Sequence, residues 1–244
     1  FSVDNELCGL YEEGAGLIYP EKTIEFLLEQ SQIDIHSNTN IVSWKKVDGL
    51  FGLQDEKNNR YFSRKIIVAA GMWIKELIPL KVKLAHGPQF WIKPPSGHYH
   101  LEENMPAFAF SVEGEFIYGF PQVEGSFGVK LADYTPREEF NSPSLRRKEC
   151  SEEDFKNIYK IASQFFADFD WQDRIGEMCS YTLTEDEDFV IDMHPEDKDI
   201  LLLAGGSGHA FKFAPTFAHV GENFAKNISL PEEINFLRWR PGLD

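Results

Sequence analysis

The stretch that most constrains this chain is the apolar run Ile200-Leu-Leu-Leu-Ala204, followed at once by Gly205-Gly206-Ser207-Gly208-His209. Five apolar residues make a short buried strand. The glycines after them let the backbone turn sharply and approach a ligand closely. Phe213, Phe217, Val220 and Phe224 then recur at helical spacing, which predicts a helix starting between Phe211 and Pro215. Upstream, Met178-Cys-Ser-Tyr-Thr-Leu-Thr184 and Phe189-Val-Ile-Asp192 read as strands separated by an acidic turn. A glycine loop at a helix N-terminus presents backbone N–H groups to an anion or to a polar cofactor edge. A plain strand-to-helix turn would look the same. Neither this loop nor Gly14-Ala15-Gly16 completes G-x-G-x-x-G, so no dinucleotide fingerprint is present.

Composition narrows the partners. With 244 residues the chain is long enough for one large or two small domains with a core, and 21 Phe imply aromatic-rich packing. A formal charge of -16 argues against a nucleic-acid or anionic-membrane partner, either of which needs a basic face. No apolar run approaches the roughly 20 residues that span a bilayer, and no signal peptide is expected. Cys8, Cys150 and Cys179 are too widely spaced for a metal motif or a disulfide framework, so no metal and a reducing, cytoplasmic setting are expected.

Along the chain, Pro20 suits a first helical position, and Ile24, Leu27 and Leu28 make one apolar face of a helix from about Pro20 to Gln30. Ile33–His36, Asn40–Lys46 and Gly49–Gln54 alternate like a three-strand meander, and Asp55–Asn59 reads as a polar hairpin turn. Tyr61–Lys65 leads into a buried strand, Lys65–Gly71, with a short helix over Met72–Leu77. A strand ending in Ala69-Ala70-Gly71 before Trp73 fits a parallel sheet whose carboxyl end meets a ligand. Leu84–Ile92 and Ala107–Gly119 read as strands of a larger antiparallel sheet, Thr135–Ser151 as loop. Ser151 caps a helix with Phe155, Ile158, Tyr159, Ala162, Phe165 and Phe166 on one face.

The order and spacing of Cys179, Tyr181, the Gly-Ser-Gly-His loop and Lys212 resembles the monomeric sarcosine oxidase and N-methyltryptophan oxidase family, flavin-dependent amine and amino-acid oxidases of the D-amino-acid oxidase superfamily. Tyr118-Gly119-Phe120-Pro121, Gly128-Val129-Lys130-Leu131 and Ala70-Gly71-Met72-Trp73 extend the match over nearly the whole chain. The resemblance implies a mixed α+β and α/β fold: part of a Rossmann-like FAD-binding sheet, plus a substrate domain with a large, mainly antiparallel sheet flanked by helices. It divides the chain into residues 1–80, the remainder of the FAD domain with the start of the substrate domain; 81–175, the substrate domain; and 176–244, a return to the FAD domain. Family members begin with a βαβ unit carrying G-x-G-x-x-G, which this chain lacks. It is therefore expected to be a fragment, because Phe1 is no natural start. A proteolytic product, one chain of a split enzyme with a partner supplying the missing segment, and a degenerate gene product stay open.

Residue roles follow from the same resemblance. Cys179 is implied as the site of covalent attachment to FAD, for which a thiolate near the ring is needed; a cysteine there is otherwise a small buried hydrophobe. Lys130, between Val129 and Leu131 on the opposite face of a strand, is implied as the lysine that activates dioxygen by stabilising its developing negative charge. Lys212, flanked by Phe211 and Phe213, is implied to contact the substrate carboxylate, against the alternative of a snorkelling surface lysine. Tyr118 and Tyr181 are implied to line the substrate pocket, although buried core tyrosines look identical. Ile41, Ala70, Gly71, Trp73, Gly206, Ser207, Gly208, His209, Phe211 and Lys212 complete the implied FAD contacts, His209 as a loop-shaping residue. Tyr134 stands where sarcosine oxidases carry a histidine, four residues after the lysine, which puts sarcosine itself in doubt as substrate.

The expected activity is oxidation of the C–N bond of a small secondary amine or amino acid, with dioxygen reduced to peroxide. The alternative is an isolated substrate-binding module, inactive without the FAD-binding portion. A dehydrogenase passing its electrons elsewhere is a third reading, against which Lys130 weighs.

Overall fold

A computed structural model describes residues 8–112, 114–134 and 138–243. In chain order its elements are α1 (Pro20–Gln30), β1 (Ile41–Val47), β2 (Leu50–Asp55), β3 (Arg60–Ser63), β4 (Ile66–Val68), α2 (Ile74–Leu77), β5 (Lys83–Ile92), β6 (Phe108–Val112), β7 (Glu115–Phe120), β8 (Val129–Asp133), β9 (Glu139–Phe140), α3 (Glu152–Ala162), β10 (Arg174–Leu183), β11 (Val190–His194), β12 (Asp197–Ala204) and α4 (Ala214–Ala225). The mixed α+β expectation is met. The chain divides into two compact units, residues 1–17 with 83–181 and residues 18–82 with 182–244. The sequence reading placed its divisions after residues 80 and 175, and Phe1 lies outside the described residues.

The first unit is built on a six-stranded sheet in the order β10-β5-β8-β7-β6, with β9 beside β5. Pro88 sits mid-strand in β5, where a missing N–H would break a ladder. It falls between the residues that pair with β9, Leu84 and Ala85, and those that pair with β8, Gln89 to Ile92. The ladder thus changes partner around the proline. One face of the sheet, with Phe90, Ile92, Ile117, Val129 and Leu131, forms a core with Phe155, Ile158, Ile161 and Ala162 of α3. Ser151 starts that helix with a capping box: its hydroxyl accepts from Asp154 N–H at 3.2 Å, and the Asp154 carboxylate accepts from Ser151 N–H at 2.7 Å. The helix ends at Ala162, so Phe165 and Phe166 are core residues of the following turn, and Ile161 takes the buried place expected of the largely exposed Tyr159.

The second unit contains a meander, β1-β2-β3, and a small sheet, β11-β12-β4, in which β12 and β4 are parallel. Val190, Ile200 and Leu202 pack on one face with Phe51, Val68 and Ile74. Ile191 and Leu201 pack on the other with Val220 and Phe224 of α4. Burial on both faces is what the unbroken apolar run Ile200 to Leu203 requires.

Several expectations are corrected. Ile33–His36 is not a strand: Ile33 and Ile35 are 65% and 57% exposed, and alternation without a partner edge makes no ladder. The third meander strand is Arg60–Ser63, read from sequence only as a lead-in. α1 forms where expected, but Ile24, Leu27 and Leu28 are exposed. Ala107–Gly119 is a hairpin of two strands. The loop expected over Thr135–Ser151 contains β9 and a helical turn at Pro143–Leu145; its residues 135–137 lie outside the described residues.

Candidate functional site

In the first unit, the sheet face opposite α3 collects the chemically distinctive side chains. Strand parity puts Gln89 and Trp91 of β5, Lys130 of β8, Tyr118 and Phe120 of β7, and Cys179 and Tyr181 of β10 on that side. Val129 and Leu131, fully buried, point to the α3 side, so Lys130 is indeed opposed to its apolar neighbours. Register sets Lys130 directly across from Trp91 on one strand and Phe120 on the other, with its Nζ 5.4 Å from each ring centroid. Ala132, the next residue on this face, lies between Gln89 and Tyr118.

Tyr118 and Tyr181 are hydrogen-bonded to each other. Burial pushes both phenols upward, Tyr181 the more strongly, so both are neutral across the physiological range. The phenol end of Tyr181 packs against Gly87: a Cβ there would lie 2.5 Å from its Cζ. Only glycine leaves space for the ring. Burial also pushes the Cys179 thiol up, while the Lys130 ammonium pulls it down. Burial pushes Lys130 down, and the charges of Cys179 and Glu177 push it up. The side-chain amide of Gln89 contacts the Cys179 sulfur.

Gln89, Trp91 and Gly87 were not singled out from sequence, and Phe120 only as part of the Tyr118–Pro121 match. One signal was available for Gln89, a polar residue in the middle of a strand buried along almost its whole length. A buried amide needs a partner, and here that partner is a thiol.

In the second unit, parallel pairing of β4 with β12 brings the loops that follow both strands to the same end of the sheet. One carries Ala70, Gly71 and the exposed Trp73; the other carries Gly205–His209. The carboxyl ends of parallel strands are where open α/β sheets bind ligands. Left-handed backbone occurs at Gly71 (φ +53°), Gly205 (+65°), Ser207 (+45°) and Gly208 (+79°), whereas Gly206 does not need it. Ser207 is buried, its hydroxyl donating to Gly205 O at 3.1 Å and its N–H to Thr182 O at 3.0 Å. His209 N–H donates to Gly206 O at 2.9 Å. Two amides of the loop are therefore already taken up by the protein, Ser207 N–H by a carbonyl of β10 and His209 N–H by one inside the loop. The His209 ring packs 4.9 Å from Phe189. A helical turn, Phe211–Phe213, precedes α4. Lys212 is exposed on it, with Nζ 5.6 Å from the Phe213 ring, rather than enclosed in an apolar pocket. Ile41 is a half-buried residue at the start of β1.

Among the described residues, no cluster of three or more His, Cys, Asp or Glu side chains could hold a metal ion, and no helix is long and apolar enough to cross a membrane.

Comparison with known proteins identifies the family and the fold. Residues 3–221 match the DAO family, FAD dependent oxidoreductase. The chain is 28% identical to monomeric sarcosine oxidase of Bacillus sp. (strain NS-129) over 226 residues, covering 89% of this chain and 57% of that one. It is 31% identical to N-methyl-L-tryptophan oxidase of Yersinia pestis (strain Pestoides F) over 177 residues, covering 72% of this chain and 47% of that one. It thus spans about half the length of the curated relatives it matches. Among solved structures, fructosyl amine:oxygen oxidoreductase (Amadoriase I) from Aspergillus fumigatus superposes with a TM-score of 0.65 at 22% identity, over 83% of this chain and 48% of that one. NikD, an amino acid oxidase of nikkomycin biosynthesis, superposes at 0.60 with 14% identity, over 82% of this chain and 54% of that one. These structures share the fold. With the family profile covering most of its length, the chain belongs to the DAO family of FAD-dependent oxidoreductases.

Proposed function

We propose that the chain carries the substrate-side machinery of an FAD-dependent oxidase acting on the C–N bond of a small secondary amine or amino acid, with dioxygen reduced to hydrogen peroxide. The observation that carries this reading is the convergence of Lys130, Cys179, Tyr118 and Tyr181 on one sheet face, with α3 sealing the other. When bound, FAD supplies the hydride acceptor for the amine and the electron donor for dioxygen. The residues present fit it. Burial holds the half-buried Cys179 thiol above its usual range, and the Lys130 ammonium beside it partly offsets that toward the thiolate that covalent attachment needs, with the Gln89 amide in contact with the sulfur. Lys130 holds its positive charge where negative charge develops on dioxygen. Tyr118 and Tyr181 form an apolar wall with a polar edge, on which an amine can pack and donate a hydrogen bond. In the second unit, we assign flavin contacts to the loops Ala70–Trp73 and Gly206–Phe211, to Ile41 at the start of β1, and substrate-carboxylate binding to Lys212.

Tyr134, standing where sarcosine oxidases carry a histidine, puts sarcosine itself in doubt as substrate in this reading. The test is an intact mass of the denatured protein beside its visible spectrum. One added flavin mass, with yellow colour surviving denaturation and mapping to Cys179, is expected of the full-length enzyme. A colourless protein of unmodified mass rejects covalent attachment. The second reading, a module that binds the amine without oxidising it, draws on the match to only about half of each relative; amine binding by the 244-residue chain with no peroxide formed would favour it.

A further inference from the structure

We propose that Trp91 and Phe120 are positioning residues for Lys130: their rings form a two-sided cation–π clamp that fixes the ammonium above the sheet and keeps it protonated. This deepens the oxygen-activating reading of Lys130 and rests on it for its purpose, though not for its geometry.

The register sets up the clamp. Lys130 is paired with Trp91 on β5 and with Phe120 on β7, so one lysine stem rises between two aromatic side chains on the same face. Its Nζ is 5.4 Å from each centroid, inside the roughly 6 Å over which a ring quadrupole attracts a cation. Burial of the lysine works against its charge. The groups facing it are the thiol of Cys179 and the carboxylate of Glu177 on β10, which favour the charge through space rather than through a hydrogen bond. Arg146 acts on Cys179 in the same sense as Lys130 and so competes for its negative charge. The phenols of Tyr118 and Tyr181 stay neutral. A carboxylate partner would also keep the lysine charged, but would occupy its N–H donors in an ion pair. Two π faces supply negative potential and leave those donors for an incoming anion.

The clamp and a mere apolar wall predict opposite signs. Replacing a ring that only excludes water admits solvent and raises the pKa of Lys130. Replacing a ring that stabilises the cation lowers it. The experiment follows pulsed amine acetylation of Lys130 by mass spectrometry as a function of pH, in the 244-residue chain. The variants are Trp91→Phe, Trp91→Leu and Phe120→Leu. The midpoint of the pH–rate curve is expected to fall by about half a unit, roughly threefold in the acid constant, in each leucine variant. Trp91→Phe, which keeps a ring face, should shift less in the same direction, and it serves alone if the leucine variants do not fold. An unchanged or raised midpoint overturns the clamp. Lys130→Met in the flavin-loaded full-length enzyme separates the two ideas: normal reoxidation by oxygen there, with the midpoints shifted as expected, rejects the role of Lys130 while the clamp stands.

Discussion

The two units use a sheet in opposite ways. In the first, one face is packed against α3 and the other is given to Gln89, Trp91, Tyr118, Phe120, Lys130, Cys179 and Tyr181. In the second, both faces of β11-β12-β4 are buried, and the implied cofactor residues are pushed into the loops at the strand ends. A sheet with only one face packed on a helix can place reactive side chains on the other by register, to within the spacing of neighbouring strands. A doubly covered sheet can offer only its ends, where backbone turns and helix N-termini carry the polarity. Sites set by side chains are therefore expected to respond to side-chain chemistry, and sites set by loops to backbone conformation.

The largest effect expected on that contrast is at Lys130. Under the proposed function, Lys130→Met in the flavin-loaded enzyme should slow reoxidation by oxygen about 100-fold or more. Reduction by amine should be nearly unchanged. Stopped-flow measurement of both half-reactions decides it, and equal losses would remove the lysine from the oxygen step.

Packing comes next. Leu202→Ala, in the doubly covered sheet, should cost about 3 kcal/mol in chemical denaturation, because a fully buried side chain leaves a cavity with no open face to relax into. A loss below about 1 kcal/mol would mean that this sheet is less tightly enclosed than its two clusters indicate.

Two glycines sharpen the comparison. Gly87→Ala should destabilise the first unit by about 2 kcal/mol and disturb substrate binding, since the new Cβ meets the Tyr181 ring. Gly71→Ala has open space around its Cβ but a φ of +53°, and should cost about 1 kcal/mol through the backbone alone. Reversal of that order would contradict the side-chain and loop division drawn above.

The smallest effect concerns pH. The Arg147 guanidinium, hydrogen-bonded at 2.9 and 3.1 Å, holds Asp154 down at about 2, helped by the capping bonds from Ser151. A carboxyl depressed in the folded state stabilises above its unfolded pKa, and that stability is lost as pH falls through its folded pKa. Asp154→Asn should therefore cost about 1 kcal/mol at neutral pH, after allowing for solvent screening, and progressively less below about pH 4. A deficit that persists undiminished at pH 2 would assign the loss to the cap rather than to the charge.

Much of this was legible in the residues themselves. Pro20 and Ser151 fixed the starts of two helices because an N1 proline and an N-cap hydroxyl act locally. The alternation Val129-Lys130-Leu131 placed the lysine opposite to its neighbours, because side chains alternate along any strand. The run Ile33–His36 alternates equally well and is no strand, since a strand is made by its partner. Gln89 and Trp91 were passed over for a related reason: nothing local reveals which side chain a neighbouring strand sets beside Lys130.

By itself, then, the sequence determined the periodicities, the caps, the glycine-rich turn after Ala204 and the family likeness, all of which depend on residues near one another in the chain. Only the tertiary structure decided that β5, β7, β8 and β10 meet in one register, that Tyr181 rests on Gly87, and that Lys130 rises between Trp91 and Phe120. Those contacts join residues 10 to 94 positions apart, and pairing between strands is set by the packing of the whole sheet rather than by any local preference.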